Sequence, residues 1–139
     1  MSASPLERFI SAQQCSYAGA LAELRAGRKT GHWIWFVLPQ LRGLGQSRMA
    51  HEYGIADRAE AEAYVAHPLL GARLCECVQA MLAHRGRTAE SILGDVDAMK
   101  FRSCLTLFDA VASNGLFGRA LDAFYGGERD AATLFLLDK

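Results

Sequence analysis

The run Trp33-Ile34-Trp35-Phe36-Val37-Leu38, closed by Pro39, decides the fold class. Six apolar residues in succession suit a short buried strand or a buried irregular segment, and periodicity alone does not separate the two. A strand needs a neighbour to pair its backbone groups, and no second run of this kind offers itself. The segment therefore reads as buried, non-repetitive or briefly helical chain leading into a turn at Gly43 and Gly45.

Around it the spacing is helical. Upstream, Ser4-Pro5-Leu6-Glu7 supplies an N-cap, a proline at the first helical position and a glutamate three residues after the cap. Leu6, Phe9, Ile10, Gln13, Tyr17, Ala20, Leu21 and Leu24 then recur on one face, which predicts one helix running to a stop at Gly27. Downstream, a helical pattern runs from Ser47 to Gly54, and Asp57-Arg58-Ala59-Glu60 opens a short helix that His67-Pro68 breaks. A longer helix carries Leu70, Leu74, Cys77, Val78, Met81 and Leu82, followed by one or two turns over 88–93. Asp95 or Asp97 can cap the next helix, with Met99, Cys104, Leu105, Phe108 and Val111 as its apolar stripe. After a turn at Ser113-Asn114-Gly115, a face of Leu116, Phe117, Ala120, Leu121 and Phe124 ends at Gly126-Gly127, and Asp130 caps a last segment, Ala131 to Leu137. With no repeats or low-complexity linkers, the expectation is a single all-α domain over 1–139 of about six to eight helices.

Composition narrows the function. The chain has 139 residues, 51% hydrophobic and 22% charged, as an ordinary globular protein does. Fifteen Lys+Arg balance fifteen Asp+Glu, so no long-range attraction to nucleic acid or to an anionic membrane is expected. No apolar run approaches the ~18 residues of a membrane span, and residues 1–9 lack the basic and apolar regions of a secretory leader, so the expected location is cytoplasmic. Cys15, Cys75, Cys77 and Cys104 fit neither a zinc knuckle nor a redox motif and read as reduced, non-catalytic thiols. Phosphate-loop, dinucleotide-binding, zinc-protease and nucleophile-elbow signatures are all absent, and neither a metal nor a cofactor is expected.

Two segments concentrate chemistry. In the first, Trp33 or Trp35 can stack a ring while Arg28, Lys29 and His32 hold an anionic group, with the Gln40 amide beyond the apolar run. The plainer reading makes both indoles core residues and the cations the end of the first helix. In the second, Arg102, Thr106 and Asp109 fall on one line of a helix at spacings of four and three. Lys100 points elsewhere, towards Ser103, Cys104 and Leu107; it snorkels to water, or stays buried as a base or nucleophile. Gly43-Leu44-Gly45-Gln46-Ser47 is a plain turn before it is an anion-binding one.

The blocks together resemble a known family. Gly31 to Leu41, followed by Gly43-Leu44-Gly45 and Ser47, closely resembles the signature of the domain of unknown function 1810 family. His67 to Leu74, Lys100 to Phe108, and Phe124-Tyr125-Gly126-Gly127 with Asp130 and Thr133 resemble its later blocks. Ile34 and Phe101 stand where methionine and leucine are common, and both keep the apolar character. The resemblance implies a small all-α fold and no established activity. Some members carry a calpastatin-like label, but inhibitors of that kind are disordered, whereas this chain reads as folded throughout. A more remote similarity is to the NADAR group, which processes ADP-ribose-type N-glycosidic bonds; none of that group's catalytic residues maps onto this chain one by one.

Two functions follow as expectations. One is a pocket for a small phosphorylated or nucleotide-like ligand, with Trp33 or Trp35 stacking a ring and Lys29 and Arg102 holding an anion. If that pocket hydrolyses an N-glycosidic bond, His32 or Lys100 is the acid–base candidate and Asp109 orients it or stabilises positive charge. The other is a non-catalytic interaction module, in which an apolar helix face packs internally or against a second subunit as a homo-oligomer.

Overall fold

The computed structural model describes residues 5–112 and 114–138, so Ser4 and Ser113, read above as a cap and part of a turn, lie outside the described residues. The described residues form ten helices: α1 Glu7–Gln14, α2 Tyr17–Ala26, α3 Ile34–Val37, α4 Arg48–Glu52, α5 Arg58–Ala66, α6 Leu70–Leu82, α7 Ala89–Leu93, α8 Asp95–Val111, α9 Leu116–Tyr125 and α10 Ala131–Leu137. The fold is all-α. Among the described residues the only β pairings are isolated bridges, Leu41 with Ile55 and Arg85 with Arg87.

The helix predicted to run up to Gly27 is two helices, α1 and α2, parted at Cys15 and Ser16. Close to the break, Gln13 lies on the apolar stripe and is buried. Its Nε2 donates to Phe36 O at 2.6 Å and to the Tyr64 hydroxyl at 3.1 Å, while its Oε1 accepts from Arg73 at 3.3 Å. A buried amide satisfied from three sides fixes α1 against α3 and α5. Breaking the helix then lets α2 turn its own face to α6.

The tryptophan run forms a single helical turn, α3, with Trp33, Ile34, Phe36, Val37 and Leu38 buried and Trp35 partly so. Beyond Pro39 the chain runs extended past Ile55, where Arg42 N donates to Ile55 O at 2.8 Å and Ile55 N to Gln40 O at 2.9 Å.

Helix α8 is the centre of the molecule, packing on α5, α7, α9 and α10. Phe101, Cys104, Leu105, Leu107 and Phe108 are fully buried on it and join one connected apolar core. Two expectations need correction here. Met99 belongs to the expected core stripe but is 67% exposed, because it shares the outward face of α8 with Val96 while Ala98 and Phe101 take the inward one. Neither Asp95 nor Asp97 is the cap; Gly94 is, at a positive φ (87°) that side chains rarely adopt. Both aspartates fall inside the first turn of α8, where negative charge suits the helix dipole.

The corner between α5 and α6 depends on a glycine. A Cβ on Gly71 would stand 2.2 Å from Val65 O. Only a bare Cα lets α6 start so close under the end of α5. Among the described residues no helix is long and apolar enough to cross a membrane.

Candidate functional site

The site begins where α2 ends. Gly27, in the left-handed conformation (φ 74°), turns the chain, with Gly27 N donating to Leu24 O and Arg28 N to Glu23 O. Lys29 N then reaches Ile92 O on α7 at 2.8 Å, which directs the loop towards α8. Glu23 holds this loop from beneath: its Oε1 accepts from Thr30 N at 2.7 Å, Gly31 N at 2.9 Å and Trp33 Nε1 at 3.0 Å. Burial alone would raise the Glu23 pKa, but the hydrogen bonds from Gly31, Thr30 and Trp33 outweigh it and the net shift is downward.

Lys29 is thereby delivered to the interior. Its side chain is only 6% exposed, its Nζ lies 2.6 Å from Asp97 Oδ2 and 4.9 Å from the centre of the Trp33 ring, and it also donates to Gly31 O. Asp97 serves a second cation. Lys100 Nζ is 3.9 Å from the other carboxylate oxygen, Oδ1, and 4.9 Å from the centre of the Trp35 ring, at 23% side-chain exposure. The first and third sequence blocks thus meet through one carboxylate that faces two lysines, each lying over its own tryptophan. Trp35 Nε1 is buried without a hydrogen-bond partner, alone in this among the buried side-chain N and O atoms of the described residues.

Lys100 also opens onto a cleft of about 280 Å³ between the 40–45 loop, the start of α8 and the start of α10. Its walls are partly apolar, from Leu44, Val96, Met99 and Ala132. The polar groups are the Lys100 ammonium, the Arg102 guanidinium, the Ser103 hydroxyl, the Gln40 amide and the Asp130 carboxylate. Arg102 is paired with Glu128 at 3.0 Å and Asp130 at 3.7 Å. Ser103 Oγ lies 3.0 Å from Asp130 Oδ2, to which it donates, and Asp130 also caps α10 by accepting from Thr133 N.

The other candidates are dispersed. Arg28 and His32 are exposed and do not line the cleft. Thr106 is buried and ties the 128–130 loop to α8, donating to Arg102 O at 2.8 Å and accepting from Asp130 N at 2.9 Å. Asp109 pairs with Arg129 at 3.1 Å, about two and a half turns beyond Lys100 and so on the opposite side of α8. The line Arg102, Thr106, Asp109 is real, but its partners are Glu128, Asp130 and Arg129 of that loop. Burial pushes the thiols of Cys75, Cys77 and Cys104 up, Cys77 to about 12, which makes them poor nucleophiles.

Sequence reading missed Asp97 and Glu23 as site residues. For Asp97 a signal existed, since it precedes Lys100 by three positions on a helix. Glu23 gave none, because the amides it collects belong to the next loop.

These features define a small all-α protein in which two cation–indole pairs share one carboxylate beside an open cleft. The model of the family described as "Protein of unknown function (DUF1810)" matches residues 3–137, and the chain belongs to that family. It is similar to the crystal structure of the conserved hypothetical protein Rv1873 from Mycobacterium tuberculosis, at 47% identity over 96% of each chain and a TM-score of 0.94. Among curated proteins no match is found.

Proposed function

We propose that this protein binds a small phosphorylated or nucleotide-like ligand in the cleft beside Lys100. One observation carries the reading: the Lys100 ammonium and the Arg102 guanidinium open onto a concavity whose walls include Val96 and Met99, 65% and 67% exposed. Apolar walls with a few convergent polar groups are the usual make-up of a small-molecule site. The Lys100 ammonium donates no hydrogen bond among the described residues, so its three donors are available to an anion. Hydrolysis of an N-glycosidic bond is not part of the proposal, because of the three catalytic candidates, His32, Lys100 and Asp109, only Lys100 lines the cleft.

The test is a thermal-shift panel of nucleoside phosphates, sugar phosphates, ADP-ribose and NAD. A ligand at 100 times its Kd adds about 2.7 kcal/mol, which in a domain of this size raises Tm by roughly 8 °C. The rise is expected with at least one phosphorylated compound and is expected to vanish in Lys100→Gln. A blank panel at millimolar concentrations would reject the proposal.

A second reading has its own observation. Val96 and Met99 on α8, with Leu134 and Phe135 on α10, are large apolar side chains exposed to solvent, as a protein-docking surface would require. Under that reading the panel is blank and Met99→Lys leaves Tm unchanged while abolishing capture of the partner.

A further inference from the structure

We infer that Asp97 is the counter-ion an incoming phosphate displaces at Lys100, and that the cleft therefore takes phosphate monoesters of mononucleotide or sugar-phosphate size. This rests on the binding reading above and adds the ligand class and the residue that sets selectivity.

The argument starts from charge. One carboxylate faces two ammonium groups, so the Lys29–Asp97–Lys100 cluster carries one uncompensated positive charge. The two lysines do not share Asp97 equally. Lys29 is at 2.6 Å, nearly sealed from water, and has a carbonyl acceptor and an indole face as well. Lys100 stands at 3.9 Å, beyond hydrogen-bond reach, with the Trp35 face as its other support. The surplus charge therefore lies on Lys100, and Lys100 is the residue that lines the cleft.

A phosphate monoester carries about −1.5 to −2 charges at neutral pH and three strong acceptors. It offers Lys100 short charge-assisted bonds that Asp97 does not reach. A carboxylate ligand only repeats what Asp97 already supplies, and a neutral ring supplies none of it. Along the wall follow the Gln40 amide, Arg102, already between Glu128 and Asp130, and the Ser103 hydroxyl, which donates to the Asp130 carboxylate. Lys100 is therefore the cation there that no carboxylate reaches by a hydrogen bond. Size sets the other limit. At about 280 Å³ the cleft is just below the range of ligand cavities, which run from about 300 to 1,000 Å³, so one phosphorylated unit fits better than a dinucleotide.

Isothermal titration with AMP, ribose 5-phosphate, adenosine and NAD tests the inference on the full chain. AMP and ribose 5-phosphate are expected to bind, adenosine about tenfold or more weakly than AMP, and NAD no more tightly than AMP. The variant Lys29→Met with Asp97→Asn removes the competing carboxylate without leaving a buried lysine unpaired. It is expected to bind AMP about fivefold more tightly and adenosine as before.

Unchanged AMP affinity in this variant, with binding lost in Lys100→Gln, would overturn the role of Asp97 and leave the binding site standing. Failure of both phosphates to bind the unaltered protein would overturn the site and this inference together. If the double variant does not fold, Trp33→Phe leaves Trp35 as the sole indole reporter. Saturation with AMP is then expected to change its emission as the ammonium over the ring exchanges Asp97 for phosphate, and constant emission at saturation would contradict the displacement.

Discussion

Lys29 over Trp33 and Lys100 over Trp35 are the same chemical pair set down twice, at the same 4.9 Å, on the same aspartate. Their surroundings differ. Lys29 is closed in by the loop that Glu23 gathers, and every direction open to its ammonium is filled. Lys100 keeps one side on a cleft and lies beyond hydrogen-bond distance from the carboxylate. The comparison teaches that residue type does not assign a role here. Burial and the number of satisfied donors make the first pair a fastening and leave the second open to the cleft.

The contrast has measurable consequences in stability. Asp97→Asn is expected to be the most damaging change, about 3–4 kcal/mol, because it leaves the sealed Lys29 without its counter-ion. Lys29→Ala follows at about 2–3 kcal/mol, since Asp97 keeps Lys100 as a partner. Thermal or urea melts at neutral pH measure both, and a loss below about 0.5 kcal/mol for either would show that the Lys29 pair is not a fastening.

Glu23→Gln sharpens the same point from the loop side, with an expected loss of about 1–2 kcal/mol at neutral pH. Its pKa is depressed in the folded protein, so its contribution is present above the ordinary value of 4.5 and is lost as pH falls through the lower folded value. The gap between wild type and Glu23→Gln should therefore be full at neutral pH and narrow as the pH is taken below 4.5. A gap independent of pH would mean that the charge on Glu23 does not hold the loop. The smallest effect is expected of Lys100→Gln, under about 1 kcal/mol, as for a partly exposed pair at long range. A loss matching that of Lys29→Ala would erase the difference between the two lysines.

The sequence revealed the helices because their apolar spacing is local, and α6 and α9 stand where their stripes put them. The break between α1 and α2 was hidden because the apolar stripe continues across it, and the partners of the neighbouring Gln13, Phe36 O and Tyr64, lie far along the chain. Met99 has the right residue type for the core, yet it lies with Val96 on the outward face of α8, and the neighbouring Ala98 and Phe101 are the buried ones. At the site, Lys29, Lys100 and both tryptophans were legible as an unusual cluster of types. Asp95 and Asp97 both read as possible caps, since an acid at the start of a helix has the same signature as a cap and as a first-turn residue. The partner of Asp109 is Arg129, in a loop that only the folded chain brings alongside α8.

The most direct measurement follows the two ammonium groups separately, by nitrogen-15 NMR of the lysine side chains during a titration with AMP. The Lys100 signal is expected to move with AMP to saturation, while the Lys29 signal, held between Asp97, Gly31 O and Trp33, stays in place. Equal movement of both signals, or movement of neither, would contradict the division of roles between them.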